Sequence, residues 1–196
     1  MIILAFTDIH GSEKAIRSLK AKAKKADLLV CTGDITFFET HMARVVKELD
    51  SMGKPLLLVH GNHEDEDGLR ALCKDRKNIT FLHKGFCEVG GYLFFGYGGG
   101  GFAVHDREFE HFSHSIRSRR KGKRLVALFH QPPYGTKVDV ILDEHVGNES
   151  YSGFIRKERP SLVLCGHLHE HNGEQDKAWG SLIVNPGPEG KFIRLK

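Results

Sequence analysis

Seven side chains with metal-binding atoms follow apolar runs of the chain in a repeated pattern. Asp8 and His10 come after Ile2–Phe6, Asp34 after Leu28–Cys31, and Asn62 after Leu56–Val59. His130 follows Leu125–Phe129, and His167 and His169 follow Leu162–Cys165; His63 and Glu64 adjoin Asn62. Taken singly, Gly-Asp and Gly-Asn are ordinary turn dipeptides, and Asp8 would serve as a helix cap. Turns are served equally well by Gly, Ser or Pro, however, whereas these positions repeatedly offer imidazole, carboxylate or amide oxygen. That mixture suits borderline divalent ions such as Mn, Fe, Co, Ni or Zn better than an all-oxygen Mg or Ca site. Asp8 with His10, and His167 with His169, are i, i+2 pairs that would share one side of an extended segment. Seven donors exceed what one tetrahedral or octahedral ion needs. Two ions sharing a carboxylate account for the number, and such pairs, about 3.5–4 Å apart, serve in-line attack at phosphorus.

The elements that must position these groups alternate in kind. The apolar runs read as strands buried on both faces. Between the first two, Ser12 is a helix N-cap and Ala15, Ile16, Leu19 and Ala23 recur at helical spacing before a Lys-rich last turn. A second helix is expected from about Thr40 to Met52, stopped by Gly53 and Pro55. Phe86–Val89, Gly90-Gly91 and Tyr92–Tyr97 form a hairpin signal. Gly98–Gly101 then precede Asp106–Arg124, which reads as partly helical, and short strands are expected near Ser181–Val184 and Phe192–Leu195. Strand and helix in alternation predict a parallel α/β arrangement, as one domain over residues 1–196 with two sheets or one strongly bent sheet. In such folds ligands bind outside the carboxyl ends of the strands, where every donor named above falls.

Composition narrows the function classes. A chain of 196 residues with 40% hydrophobic and 28% charged residues can bury a core without disulfides, and disorder is excluded. The formal charge of +4 is far from that of a dedicated nucleic-acid binder. No run approaches a membrane span, and the apolar start is too short for a signal peptide. Cys31, Cys73, Cys87 and Cys165 form no CxxC pair, so a reduced, cytoplasmic chain is expected. No motif specifies an oligomer.

Asp8-Ile9-His10, Gly33-Asp34, Gly61-Asn62-His63-Glu64, His130 and Gly166-His167-Leu168-His169 resemble the ordered blocks of the calcineurin-like metallophosphoesterase superfamily, in the style of its small prokaryotic Icc-like members. The resemblance implies a four-layer α/β/β/α sandwich with a dinuclear metal site at the C-terminal rim of the strands. It implies that Asp8, His10, Asp34 and His169 hold one ion and that Asp34, Asn62, His130 and His167 hold the other. Mn is the ion expected to serve first in vitro. The activity implied is hydrolysis of small phosphodiesters or phosphomonoesters, such as cyclic nucleotides, by a metal-bridging hydroxide. His63 is then the residue that protonates or steadies the leaving oxygen, with Asp8 orienting it and Glu64 fixing His63 or a ligand.

Departures from the family's branches refine this. Ser/Thr protein phosphatases, which share the Gly61–Glu64 block, carry arginines where this chain has His60 and Thr36-Phe37-Phe38, so the bidentate phosphate fork is missing. Gly98–Gly101 is either a backbone phosphate cradle or a connector. Phe102, His105, His111 and His114 either wall a substrate pocket or decorate an amphipathic surface. Arg117–Arg124 reads as solvated charge more readily than as a nucleic-acid track, because no stacking aromatics are interleaved with it. The competing function classes are a nuclease and a non-catalytic scaffold on the same fold. A scaffold has no need of the complete donor set kept here.

Overall fold

The computed structural model describes residues 1–196. Its first part runs β1 (Ile2–Phe6), α1 (Glu13–Ala23), β2 (Leu28–Cys31), α2 (Met42–Asp50), β3 (Leu56–Leu58), α3 (Glu66–Lys74) and β4 (Ile79–Phe81). The middle contains β5 (Gly85–Val89), β6 (Tyr92–Tyr97), α4 (Arg107–Ser113), α5 (Ile116–Arg120) and β7 (Arg124–Phe129). The rest adds β8 (Val140–Ile141), β9 (Glu144–His145), α6 (Glu149–Glu158), β10 (Leu162–Leu164), β11 (Gln175–Ala178), β12 (Ser181–Val184) and β13 (Lys191–Arg194).

Two sheets carry the architecture. One has the order β13-β1-β2-β3-β4, parallel except at β13. The other has the order β11-β12-β10-β7-β6-β5, with parallel central strands and antiparallel edges at β11 and β5. Side-chain alternation along each strand builds three apolar layers. Leu4, Phe6, Leu29, Cys31 and Leu58 pack with Leu19, Val46 and Leu69 of α1–α3. Their strand neighbours Ile3, Ala5, Val30 and Val59 face the second sheet and meet Phe94, Val126, Leu128 and Leu164. The outer face of the second sheet, with Phe95, Phe129 and Val163, is covered by Phe109, Tyr151 and Phe154 of α4 and α6. The layers are therefore α/β/β/α. Burial on both faces explains why these strands read as unbroken apolar runs.

Local signals set most element ends. Ser12 caps α1 by accepting the Ala15 N–H at 3.3 Å. The second helix starts later than the spacing predicts, because His41 is left-handed at φ 56° and only Met42 onward is helical. Helix α3, with Asp65 as its cap, and α6, capped by Asn148, are not anticipated from the sequence pattern; nor are β4 and β11. No helix is long and apolar enough to cross a membrane.

The middle layer is the one that joins the sheets, so its integrity can be tested directly. Leu128, fully buried there, should lose about 2–5 kcal/mol of unfolding free energy on change to Ala, read from urea denaturation. A loss below about 1 kcal/mol would mean that the sheets are not packed through this layer.

Candidate metal centre

The carboxyl ends of β1, β2 and β3 from one sheet and of β7 and β10 from the other open onto one rim, and all seven predicted donors gather there. Asp8, His10 and His169 bring ligand atoms within 4.8 Å of one another, as do Asp34, His130 and His167. Asn62 joins them through its Oδ1, 2.9 Å from His130 Nε2. Asp34 stands between the two groups. Its Oδ2 lies 3.4 Å from His130 Nε2, 3.8 Å from His63 Nε2 and 3.9 Å from His10 Nε2.

The i, i+2 pairs converge for a different reason from the one the sequence suggests. Asp8, His10 and His167 are not extended but left-handed, at φ 53°, 43° and 71°, and Asp34 is left-handed too at 49°. Asp and His tolerate that region better than most residues. The backbone is held there by Asp8 N–H to Gly33 O and His10 N–H to Asp34 O, at 3.1 and 3.0 Å.

Hydrogen bonds decide which ring nitrogen is free. A carbonyl can only accept, so His10 carries its hydrogen on Nδ1, which donates to Thr36 O at 3.0 Å. His10 Nε2 then points its lone pair toward His169 Nε2, 3.1 Å away. His130 likewise donates from Nδ1 to Thr32 O at 2.8 Å. This orientation, with Nδ1–H on a carbonyl and Nε2 presented, is the usual one for a metal-binding imidazole. His167 Nε2 is buried with no hydrogen-bond partner. Burial first, then the His130 charge, lowers the His167 pKa to about 4 and keeps that ring neutral.

The cluster fits a pair of cations. Mixed nitrogen and oxygen donors face inward, one buried nitrogen is orphaned, and two imidazole Nε2 atoms stand 3.1 Å apart. Glycine flanks the carboxylates where nothing larger fits: a Cβ on Gly61 would overlap Asp34 Oδ1, and one on Gly166 would stand 2.6 Å from Asp8 Oδ2.

His63 is held differently. Its Nδ1 accepts the Phe38 N–H at 3.3 Å, which leaves the hydrogen on Nε2. The carboxylate beside it is Asp34, whose Oδ1 also accepts the His63 N–H at 3.0 Å. Asp8, expected to orient His63, makes no hydrogen bond to it and instead accepts the His167 N–H. Glu64 makes no hydrogen bond to His63 and holds the donor Asp34 instead. Its buried carboxylate accepts the N–H groups of Asp34, Thr36 and Gly61 and the Thr36 hydroxyl, binding the β2 and β3 loops together.

Other predicted features separate in the same way. Gly98 N–H donates to His83 Nδ1 and Gly99 N–H to His60 O, so those amides are not free for phosphate. Glycine is needed because a Cβ on Gly98 would sit 2.5 Å from His60 O. Phe102 packs on His167, with ring centroids 4.7 Å apart. His105 and His114 line a separate cleft of about 320 Å³ between α4 and α6, with Arg117 and Glu158. In the basic run, Arg120 bonds Glu158 O, Lys123 pairs with Glu88, and Arg124 bonds the Tyr92 hydroxyl. Much of that charge is therefore engaged within the chain. Residue types do not reveal the Thr36 carbonyl and the Phe38 amide, which fix two imidazoles. Only their position directly after Gly33-Asp34 hints at the role.

An α/β/β/α fold with a two-ion donor set where both sheets end defines the class of metal-dependent phosphoric ester hydrolases. The family model described as calcineurin-like phosphoesterase matches residues 1–171, and the chain belongs to that family. Among solved structures, it is similar to TT1561 of Thermus thermophilus, with a TM-score of 0.79 at 19% identity, over 95% of this chain and 88% of that one. It is also similar to phosphopantetheinyl hydrolase from Mycobacterium tuberculosis (TM-score 0.65, 14% identity, 94% and 88% covered). A dimetal phosphatase from Danio rerio is similar too (TM-score 0.62, 13% identity, 93% and 86% covered). No curated protein sequence matches the chain.

The charge state of the cluster without ions makes a prediction. Burial opposes a charge on His130, but Asp34 outweighs it and raises the pKa to about 9. Burial opposes the Asp34 carboxylate as well, yet the hydrogen bond and charge of His130 outweigh it and bring the pKa down to about 2. With its folded pKa raised, the His130 contribution to metal-free stability is fully present below the ordinary value of 6.5 and is lost as pH rises through about 9. Cation binding has the opposite slope, because the ion must displace the Nε2 proton. Calorimetric titration with Mn at pH 7, in buffers of different ionisation enthalpy, should report release of about one proton. Binding with no proton release would show His130 already neutral.

Proposed function

We propose that the chain hydrolyses small phosphodiesters or phosphomonoesters at two divalent ions held by Asp8, His10, Asp34, Asn62, His130, His167 and His169. The observation that carries this reading is Asp34 Oδ2, within 3.9 Å of three imidazole Nε2 atoms from the loops after three separate strands. A carboxylate so placed can serve both groups of donors, His10 with Asp8 and His169 on one side, His130 with His167 and Asn62 on the other. When bound, the ions supply Lewis-acid neutralisation of the phosphoryl charge and a nucleophile at neutral pH. Mn is the ion we would add first. The unpaired thiols of Cys31, Cys73, Cys87 and Cys165 support a reducing compartment such as the cytoplasm. Two proteins of similar structure, a dimetal phosphatase and a phosphopantetheinyl hydrolase, accord with phosphoester chemistry.

Within that reading His63 steadies the leaving oxygen rather than giving up a proton from a charged ring. Burial first, against the pull of Asp34, lowers its pKa below the ordinary 6.5. Charging the ring would also place a second hydrogen on Nδ1, against the Phe38 N–H that it accepts. The neutral ring presents Nε2–H, and Asp34 favours the polarisation of that bond as negative charge grows on the ester oxygen.

The test measures turnover of bis(p-nitrophenyl) phosphate together with bound metal. Wild-type protein loaded with Mn should hydrolyse the ester, and a chelator should abolish the activity. His63→Ala should keep its metal and lose about 10²–10³-fold in kcat, as expected for one hydrogen-bond donor to a developing oxyanion. Wild-type turnover by a fully metallated His63→Ala would remove the residue from the chemistry. Metallated wild-type protein inert toward a broad ester panel would favour the scaffold instead.

A further inference from the structure

Three of the six large apolar side chains that the fold leaves in water stand around the donor set: Phe37, Phe38 and Phe102, at 57%, 66% and 64% exposure. Phe37 lies against His10 and His63, with ring centroids 6.1 and 5.3 Å apart. Phe38 lies against His63 at 4.2 Å. Phe102 packs on His167 at 4.7 Å, a different member of the set. None of these rings belongs to an apolar core cluster.

Their backbone is held in place at a cost. Phe38 and Glu39 are left-handed at φ 45° and 60°, where a bulky side chain is strained. The turn persists because Phe38 N–H bonds His63 Nδ1, Glu39 N–H bonds His63 O, and the Glu39 carboxylate accepts the Asp65 N–H. The backbone of this strained turn fixes His63 and the start of α3, yet its two rings stand outside every apolar core cluster and against the leaving-group histidine. Phe102 is carried on the other side by Gly100 and Gly101, both at positive φ.

We propose that these rings are two aromatic subsites for the two arms of a linear phosphodiester, each arm bearing a flat aromatic or heteroaromatic group. This rests on the hydrolase reading above and goes further by naming the substrate class. The arm against Phe37 and Phe38 leaves, because His63 stands there. The arm against Phe102 stays on phosphorus. Water oxygen bonds phosphorus, the bond from phosphorus to the leaving oxygen breaks, and one water proton ends on that oxygen, giving an alcohol or phenol and a monoester. A monoester fills only one subsite, and a cyclic diester has both ester oxygens on one arm. Linear diesters use both.

Mn-loaded protein assayed with bis(p-nitrophenyl) phosphate, methyl p-nitrophenyl phosphate, p-nitrophenyl phosphate and a dinucleoside monophosphate tests this. Phe102→Ala should raise KM for the two-armed ester roughly three- to ten-fold, the worth of one aromatic contact, and much less for the methyl ester. Phe38→Ala should raise KM for both, and Phe38→Tyr and Phe102→Tyr should restore binding. Exposure predicts that the Ala variants melt at the wild-type temperature. Turnover of the dinucleoside monophosphate would identify the flat groups as nucleobases, and turnover confined to the aryl esters would identify them as simple arenes. Equal KM changes across all the esters, no change, or a fall in melting temperature that accounts for the loss would overturn the proposal. If the metallated wild type cleaves none of the esters, the hydrolase reading itself fails, and this inference with it.

Discussion

Three carboxylates are buried close together at the rim: Asp8, Asp34 and Glu64, at 4%, 2% and 6% exposure. Burying like charges is expensive unless each finds a partner, and much of the local structure follows from how each is answered. Glu64 is answered by three backbone N–H groups and a hydroxyl. Asp34 is answered by the His63 N–H and by His130, a buried ring whose Nε2 lies 3.4 Å from Oδ2 while its Nδ1 donates to Thr32 O. Asp8 accepts the His167 N–H, and burial pushes its pKa up, with Asp34 adding to the rise against the charge of His130. The protein thus supplies less positive charge than the cluster calls for. A dication is the natural remainder, and binding it stabilises the folded state that holds it.

The same constraint explains the backbone. To aim two carboxylates and two imidazoles at one point, the chain turns left-handed at Asp8, His10, Asp34 and His167. Each such turn costs about 1–3 kcal/mol and survives where surrounding bonds over-determine it. Those bonds are present: the β1 and β2 loops run side by side through Asp8 N–H to Gly33 O, His10 N–H to Asp34 O and Gly11 N–H to Ile35 O. Glu64 ties the second of these loops to the third. Strain and buried charge offset each other only when all three loops are in place.

This clarifies what could be read from residues alone. The strands were legible because both of their faces are buried, which leaves an unbroken apolar run such as Leu28–Cys31. Helix α1 was legible through Ser12 and its regular apolar face. Helix α3 was not, because it shows only Leu69 and Cys73 to the core amid charged residues. Donor identity was legible because each donor follows a strand. Donor geometry was not: the i, i+2 argument supposed an extended backbone, and the observed φ values show otherwise. The partners of His63 were hidden for a related reason. They are the backbone N–H of Phe38 and a carboxylate 29 residues away, and neither leaves a mark in residue type.

The donors also divide between the sheets. Asp8, His10, Asp34 and Asn62 come from loops of the first; His130, His167 and His169 come from the second. Neither set completes the centre alone, since Asp34 must meet His130 and Asp8 must meet His169. The link is polar as well as apolar: His130 reaches across to Thr32 O, and Asp8 accepts the His167 N–H. The apolar layer between the sheets therefore does more than stabilise the fold. It sets the spacing at which imidazoles from one half meet carboxylates from the other, so the chemistry of the rim depends on the packing beneath it. Any shift of one sheet against the other moves one donor group relative to its complement, and the shared Asp34 is where that shift would be felt first.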